Sequence, residues 1–148
     1  MHPALSKKGG DTPKNFILRI TKEEWMKQVF TIKKYYPGVP RHWREGGLIF
    51  FARGSERGDS IIGYGVVEKF IDKEKLRGRE RSECEKMGWR GAIVFSELYK
   101  FDPPLLIKET ILGGLRAKGK YLHGYPLTEQ QVNEILETAR TSSNIVEA

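Results

Sequence analysis

The sequence predicts an α+β domain with a curved, barrel-like mixed sheet, and three observations lead to that fold class. Residues 48–52 are almost entirely apolar, which is typical of a strand covered on both faces. A charged turn over residues 53–59 leads into a second strand, residues 61–67, in which Gly63 and Gly65 share one face. Such a face marks tight curvature or the close approach of another backbone or a ligand. Two capped helices supply the α component.

Length and composition indicate one globular domain. The chain has 148 residues, 39% hydrophobic and 30% charged, which is enough for one core and unlike a disordered protein. No apolar run approaches the roughly 20 residues of a membrane helix, and the N-terminus lacks the apolar centre of a signal peptide. The single cysteine, Cys84, excludes an internal disulfide. We therefore expect a cytoplasmic protein with a flexible arm (1–14), one domain (15–140) and a frayed tail (141–148).

The net charge of +7 is concentrated in the first part of the chain. Residues 1–58 carry twelve Lys or Arg against five Asp or Glu, whereas residues 128–148 carry one against four. A basic region of this kind attracts polyanions, and nucleic acid first. A solvated surface that only keeps the protein in solution explains the same charge equally well.

The first elements are a short strand and a helix. Residues 15–20 alternate apolar side chains, and Thr21 with Glu24 forms the pattern of a capping box. The helix is therefore expected from Lys22 to about residue 29, with Trp25 in the core.

The segment over residues 30–43 is irregular and combines rings with cations. Pro37, Gly38 and Pro40 prevent a continuous helix or a central strand. Rings interleaved with cations suit a surface that stacks on bases and contacts phosphates. An alternative is that one or two of the rings fold inward as a lid on the sheet. The candidate residues here are Lys33, Lys34, Tyr35, Tyr36, Arg41, His42, Trp43 and Arg44.

The second half continues with one strand between two charged stretches. Residues 71–88 mix both charge signs and are expected to form an exposed, partly helical excursion that ends at Gly88. A strand over residues 89–98 follows, with Trp89 at its start as either a core or a binding residue. Residues 101–105 contain two prolines and are expected to turn, and residues 115–125 are glycine-rich and basic.

The last helix has the clearest signals. Thr128 and Gln131 form a second capping box, followed by apolar residues at helical spacing. They are Val132, Ile135, Leu136 and Ala139.

The sequence contains no recognisable catalytic or metal-binding motif. His42 and His123 lie far apart without acidic neighbours, and no phosphate loop or nucleophile elbow is present. We therefore expect neither cofactor nor metal and leave the question of enzymatic activity open, with a non-enzymatic role favoured.

The order of elements resembles the EVE domain family, a branch of the PUA-like superfamily that also contains the YTH and ASCH domains. The resemblance covers roughly residues 15–138 and rests on three stretches: Gly38-Val39-Pro40-Arg41, Ile61-Ile62-Gly63-Tyr64-Gly65-Val66-Val67 and Phe101-Asp102-Pro103-Pro104-Leu105. It implies a barrel of five or six strands flanked by helices, with a pocket at the barrel mouth.

The resemblance also implies how that pocket works. YTH domains, and by suggestion EVE domains, take a modified base out of a nucleic-acid strand, and an aromatic cage suits a methylated base. Tyr36 and Trp43 would form the walls together with Trp89 or Tyr64, although core packing is the better assignment for Tyr64 alone. The phosphates would be held by Lys34, Arg41 and Arg44.

Three functions follow in order of preference. The first is non-enzymatic binding of RNA or DNA, with a modified base in the pocket. The second is a small-molecule, nucleotide-binding or hydrolytic protein of the ASCH type, which would need His42 or Glu45 to face the cavity. The third is a protein-interaction module, which would need an exposed apolar patch away from the basic face.

Overall fold

The computed structural model describes residues 12–115 and 119–148, so the predicted arm lies almost entirely outside the described residues. The described helices are α1 (Glu23–Ile32), α2 (Gly78–Met87) and α3 (Glu129–Ser142). The described strands are β1 (Asn15–Arg19), β2 (Lys34–Tyr35), β3 (Leu48–Arg53), β4 (Ser60–Asp72), β5 (Gly91–Leu106), β6 (Tyr125–Leu127) and β7 (Asn144–Glu147). Short 3-10 turns lie at Lys73–Lys75, Ile107–Glu109, Ile111–Gly114 and Gly119–Leu122.

The strands form one mixed sheet in the order β2-β5-β4-β3-β1-β6, and β7 also pairs with β5. β1 and β3 are parallel, whereas the other paired strands are antiparallel. The chain passes through α1, β2 and a loop between β1 and β3, which is the long crossover that a parallel pair needs.

The α+β class is confirmed, but the sheet does not close into a barrel, so that part of the prediction is wrong. β2 and β6 lie at the two ends of the strand order and do not pair with each other. They have two and three residues, and Pro126 within β6 has no N–H to donate to a further strand.

Apolar layers cover both faces of the sheet. Phe50 and Ala52 of β3 pack in the layer that α3 covers, while Ile49 and Phe51 pack in the layer that contains Val29 of α1. The predicted covering of this strand on both faces is therefore confirmed. The α3 layer receives the predicted helical stripe through Val132, Ile135 and Ala139.

The two predicted capping boxes have different outcomes. Thr128 and Gln131 form the reciprocal hydrogen bonds of a capping box at the start of α3. The box predicted at Thr21 is wrong, because Lys22 caps α1 in extended conformation and has no side-chain cap bond. The Lys22 carbonyl accepts the first helical N–H groups, so the helix begins one residue later than the pattern indicates.

Two segments expected to be irregular form strands instead, and one of them lengthens β5. The proline-containing residues 101–105 continue the strand instead of turning. The tail expected to be frayed forms β7, in which Asn144 and Ile145 lie opposite Asp102 and Phe101. The edge of β5 beyond β2 has backbone groups free for pairing, and the segment after α3 pairs with them.

The excursion over residues 71–88 is partly helical, as predicted. β4 extends to Asp72, and α2 ends at Gly88 in the left-handed conformation with φ of 76°. Beneath α2, Cys84 is buried with Leu76 and Ala92 in a small third cluster. Among residues 12–115 and 119–148, none of the helices has the length and apolar character required to cross a membrane.

The two glycines of β4 allow β5 to approach closely. A Cβ atom at Gly63 would collide with the backbone oxygen of Tyr99, and one at Gly65 would lie 2.6 Å from the ring of Phe95. β5 therefore occupies the space beside the two glycines. This agrees with the expectation that another part of the chain approaches closely there.

We predict that Gly63→Ala lowers the free energy of unfolding by about 3 kcal/mol, because the new methyl group meets backbone that cannot rotate away. The matched control is Gly114→Ala, whose Cβ would have nothing within 4 Å, and we expect a change within about 0.5 kcal/mol. Chemical denaturation of both variants measures the effect. Equal stabilities would contradict the assigned role of Gly63.

Candidate functional site

Three aromatic side chains meet beside the first residues of β5. The ring of Tyr36, which follows β2, stacks on that of Trp89, with centroids 5.4 Å apart and planes 20° apart. Trp25 of α1 meets Trp89 edge-on, with centroids 6.0 Å apart. All three side chains are half-buried. Together, Trp25, Tyr36 and Trp89 are called the aromatic cluster below.

Backbone contacts fix the two loop residues of this cluster. Gly88 reverses the chain after α2 in the left-handed conformation, which places Trp89 directly before β5. The N–H of Arg90 then donates to the carbonyl of Pro37 over 2.8 Å. This bond joins the segment that carries Trp89 to the segment that carries Tyr36.

On one side, the aromatic cluster borders a cleft of about 550 Å³, called the Glu80 cleft. Lys34 and the Tyr36 hydroxyl both donate to Oε2 of Glu80, over 2.9 and 2.7 Å. Burial by itself raises the pKa of Glu80, but the two hydrogen bonds and the Lys34 charge outweigh it and lower that pKa. Burial, followed by the contact with Glu80, raises the pKa of Tyr36. The charge of Lys34 is thus neutralised within the protein. The other residues that line this cleft are Glu24, Gln28, Arg79 and Glu83.

A second cleft beside the cluster has a volume of about 380 Å³ and is called the His123 cleft. The backbone N–H of Arg19 donates to Nδ1 of His123 over 3.0 Å. Burial, followed by the positive charge of Arg41, lowers the pKa of His123. The imidazole is therefore held neutral with its proton on Nε2, which can act as a hydrogen-bond donor.

The cations of the His123 cleft differ in availability. Arg19 forms a two-point ion pair with Asp59, through bonds of 2.7 and 3.2 Å. Lys120 lies over the ring of Tyr121 and forms no ion pair with a carboxylate in the described part of the chain. No carboxylate lines this cleft among residues 12–115 and 119–148.

The third cleft is the largest, with about 1230 Å³, and is called the Arg90 cleft. Trp89 lines it and also the other two clefts. None of its Lys or Arg residues forms an ion pair with a described carboxylate. The Lys and Arg side chains are Arg41, Arg44, Lys69, Lys73 and Arg90, the histidine is His42, and the carboxylates are Glu45, Glu68, Asp72 and Glu74.

The structure brings together part of the predicted site. Tyr36 and Trp89 form the stacked pair, and Lys34 lies beside them in the Glu80 cleft. Three further predicted residues line the Arg90 cleft, namely Arg41, His42 and Arg44. Lys33 is exposed at the end of α1 with φ of 56° and lines none of the three clefts.

Two of the predicted rings are buried in the core and a third packs partly buried against it, which corrects the expected place of Trp43 in the cage and agrees with the core assignment preferred for Tyr64. Trp43 is 6% exposed and packs edge-on against Phe16, with centroids 5.2 Å apart. Tyr35 of β2 is 8% exposed, because its side chain packs in the same layer as Trp43. Tyr64 stacks on Tyr99 and packs with the α3 layer, away from the aromatic cluster.

The sequence analysis missed two contributors to the site. Trp25 was expected in the core, but its position on α1 leaves it half-buried against Trp89. His123 comes from a basic, glycine-rich segment more than 80 residues away from Tyr36. The composition of this segment is the only sequence signal for His123. The segment reaches the cleft through the pairing of β6 with β1, which a local pattern does not reveal.

Three observations concern the potentially reactive side chains of the described residues. In the described part of the chain, no three His, Cys, Asp or Glu side chains are grouped as a metal site. His42 and Glu45 both line the Arg90 cleft, but no hydrogen bond joins them. Burial raises the pKa of Cys84, which makes its thiol a poor nucleophile.

The arrangement of sheet and helices is similar to that in the crystal structure of ASCH from Zymomonas mobilis. The two have a TM-score of 0.58 and 13% sequence identity, over 88% of this chain and 96% of that chain. No family model matches the sequence, and no curated protein sequence matches it significantly. At this identity the likeness concerns the fold alone. The chain therefore shares an α+β fold with that ASCH structure, and membership of the EVE family stays a prediction.

Proposed function

We propose that the protein binds single-stranded nucleic acid, without catalysis, by stacking an unpaired base against the aromatic cluster. The observation that supports this most directly is the position of Trp89. Its half-buried ring is shared by three clefts, and the His123 and Arg90 clefts contain Lys or Arg side chains without an ion pair to a described carboxylate. Rings of this kind stack on any base, and neighbouring cations neutralise the phosphates.

The His123 cleft suits the base. A base in this cleft meets the aromatic cluster and the neutral imidazole of His123, whose Nε2–H can donate to an acceptor on the base edge. Met87 also lines the cleft and is 42% exposed, so a methyl group on the base would gain an apolar contact there. A methylated base, as the EVE resemblance implies, is therefore part of the proposal.

The Arg90 cleft suits the phosphates, because it adjoins the cluster through Trp89. Arg44, Lys73 and Arg90 line it without an ion pair in the described chain. Lys34 has no part in holding phosphates in this proposal, because Glu80 already neutralises it. The site of action is expected in the cytoplasm.

Hydrolysis of a nucleotide is not favoured by any observation at the site. It would need an acid or base held in position by a partner, and His42 and Glu45 line the same cleft without a bond between them. The neutral His123 accepts its hydrogen bond from backbone, which fixes its tautomer but provides no proton acceptor behind it.

We predict that the triple variant Arg44→Gln, Lys73→Gln and Arg90→Gln weakens the binding of a single-stranded oligonucleotide. Each lost phosphate contact removes about 0.7 from the slope of log K against log salt, so the slope should fall by about 2. Titrations by fluorescence anisotropy at several salt concentrations, with RNA and DNA of one sequence, measure this slope.

The matched control for that variant removes three charges elsewhere, at Arg57, Lys108 and Arg140, all of which are exposed. We expect its salt slope to stay close to that of the unchanged protein. Equal losses in the two triple variants would indicate attraction by net charge alone and would contradict the assignment of phosphates to the Arg90 cleft.

We predict that replacing Trp89 lowers the affinity for nucleic acid, whereas replacing Trp43 lowers the stability of the fold. Trp89→Ala should lower affinity for the oligonucleotide about 5- to 150-fold, which corresponds to about 1–3 kcal/mol of lost stacking. Trp43→Ala should lower the free energy of unfolding by about 3–5 kcal/mol, because it empties a core position. Anisotropy titrations and denaturation curves separate the two quantities.

The same titrations also test which base the protein prefers. Oligonucleotides with one methylated or one unmodified base at the same position test whether the cleft around Met87 distinguishes them. Trp89→Phe keeps a ring and should retain most of the affinity. If Trp89→Ala folds and binds like the unchanged protein, the aromatic cluster is not the base site.

A further inference from the structure

A fourth cleft, of about 820 Å³, lies on a different side of α1 from the aromatic cluster and takes no part in the proposed function. It is formed by α1, the turn between β3 and β4, the middle of β5 and β7. Its volume falls within the range of small-molecule sites. The apolar lining consists of Met26, Phe30, Ile62, Phe101, Pro104 and Val146. It is called the Phe30 cleft below.

Two cations of the Phe30 cleft are held over apolar atoms instead of beside carboxylates. The Lys100 ammonium lies 4.9 Å from the centre of the Phe30 ring. Arg53 is half-buried, and its guanidinium donates to the sulfur of Met26 over 3.5 Å. Neither forms an ion pair with a carboxylate in residues 12–115 and 119–148. Their charges are therefore available to a ligand in partly apolar surroundings, where charge interactions are stronger than in water.

The rest of the charged lining adds one cation and one carboxylate. Lys27 also lines the cleft and is weakly paired, at 3.5 Å, with Glu23 on its own helix. Asp102 is the one carboxylate among the lining residues that the structure describes. Three cations against one anion, around an apolar floor, favour a ligand that combines an apolar body with a negative group.

We propose that the Phe30 cleft binds a small amphipathic organic anion, with its apolar body on Phe30 and Ile62 and its carboxylate, sulfonate or phosphate group between Arg53 and Lys100. Arg53 presents a planar fork of donors, which suits the oxygens of such a group. This site is separate from the proposed nucleic-acid site and does not depend on it.

Charge complementarity favours this occupant over a second copy of the chain. Two copies that met symmetrically through this cleft would bring together two surfaces with the same excess of cations, which is unfavourable. Val146, which is 49% exposed, adds apolar surface at the cleft that a ligand body can cover.

The test uses two fluorescent probes of similar ring structure. One is the anion 8-anilinonaphthalene-1-sulfonate, and the other is the uncharged N-phenyl-1-naphthylamine. We expect saturable binding of one anionic probe per chain. The double variant Arg53→Gln and Lys100→Gln should weaken the anionic probe about tenfold and leave the neutral probe within about twofold. The control, Arg57→Gln with Lys108→Gln, should change neither.

A second variant tests the location of the probe. Val146→Trp places a large ring over the cleft on an exposed strand position and should reduce the affinity of both probes. Binding that does not saturate, or a tenfold loss in the control, would overturn the proposal, as would unchanged binding in both cleft variants. Thermal unfolding of each variant confirms that it is folded during the titration.

Competition identifies the ligand class and separates the two proposals. Displacement of the anionic probe by decanoate points to an aliphatic carboxylate, and displacement by adenosine monophosphate points to a nucleotide. We expect that a single-stranded oligonucleotide does not displace the probe and that the Arg53 and Lys100 variant binds the oligonucleotide normally. Displacement by the oligonucleotide would overturn the assignment of a separate site, whether or not the aromatic cluster binds bases.

Discussion

The close pairing of β4 with β5 is the constraint on which the rest of the structure depends. Gly63 and Gly65 allow β5 to lie against β4 where any side chain would collide with Tyr99 or Phe95. With one edge held there, β5 offers its other edge to β2 at one end and to β7 further along. A single 16-residue strand thereby positions β2 and β7, which contribute to candidate clefts on both sides of α1.

The pairing of β2 with β5 brings together two rings of the candidate site. Only two residues of β2 pair, yet their register places Tyr36 alongside the residues that precede β5, where it stacks on Trp89. A slip of one residue would exchange the buried Tyr35 with Tyr36 and remove the stacked pair. The hydrogen bonds from Tyr36 and Lys34 to Glu80 of α2 hold this register from the side.

The sequence predicts the fold better than the site, for physical reasons. The apolar strand over residues 48–52 and the capping box at Thr128 depend on neighbouring residues, so their patterns are visible in one stretch of chain. Whether Trp43 or Trp89 faces solvent depends on contacts with distant strands, and in the sequence each tryptophan is followed directly by an arginine. His123 reaches the cleft only through the pairing of β6 with β1, which no local pattern reports.

Which Lys and Arg side chains are available for binding also depends on the fold more than on the local sequence. The segment over residues 33–44 is the most basic by sequence, but the fold disperses its cations: Lys34 is neutralised by Glu80, and Arg41 donates to the carbonyls of Gly124 and Pro40. The Lys and Arg side chains that join Arg44 in the Arg90 cleft come from the end of β4 and the start of β5, where acidic residues are close in sequence and hide the pattern. The cations beside the aromatic cluster therefore come from strand pairing as well as from the basic segment, because contacts within the protein engage some cations of that segment and the sheet brings in others.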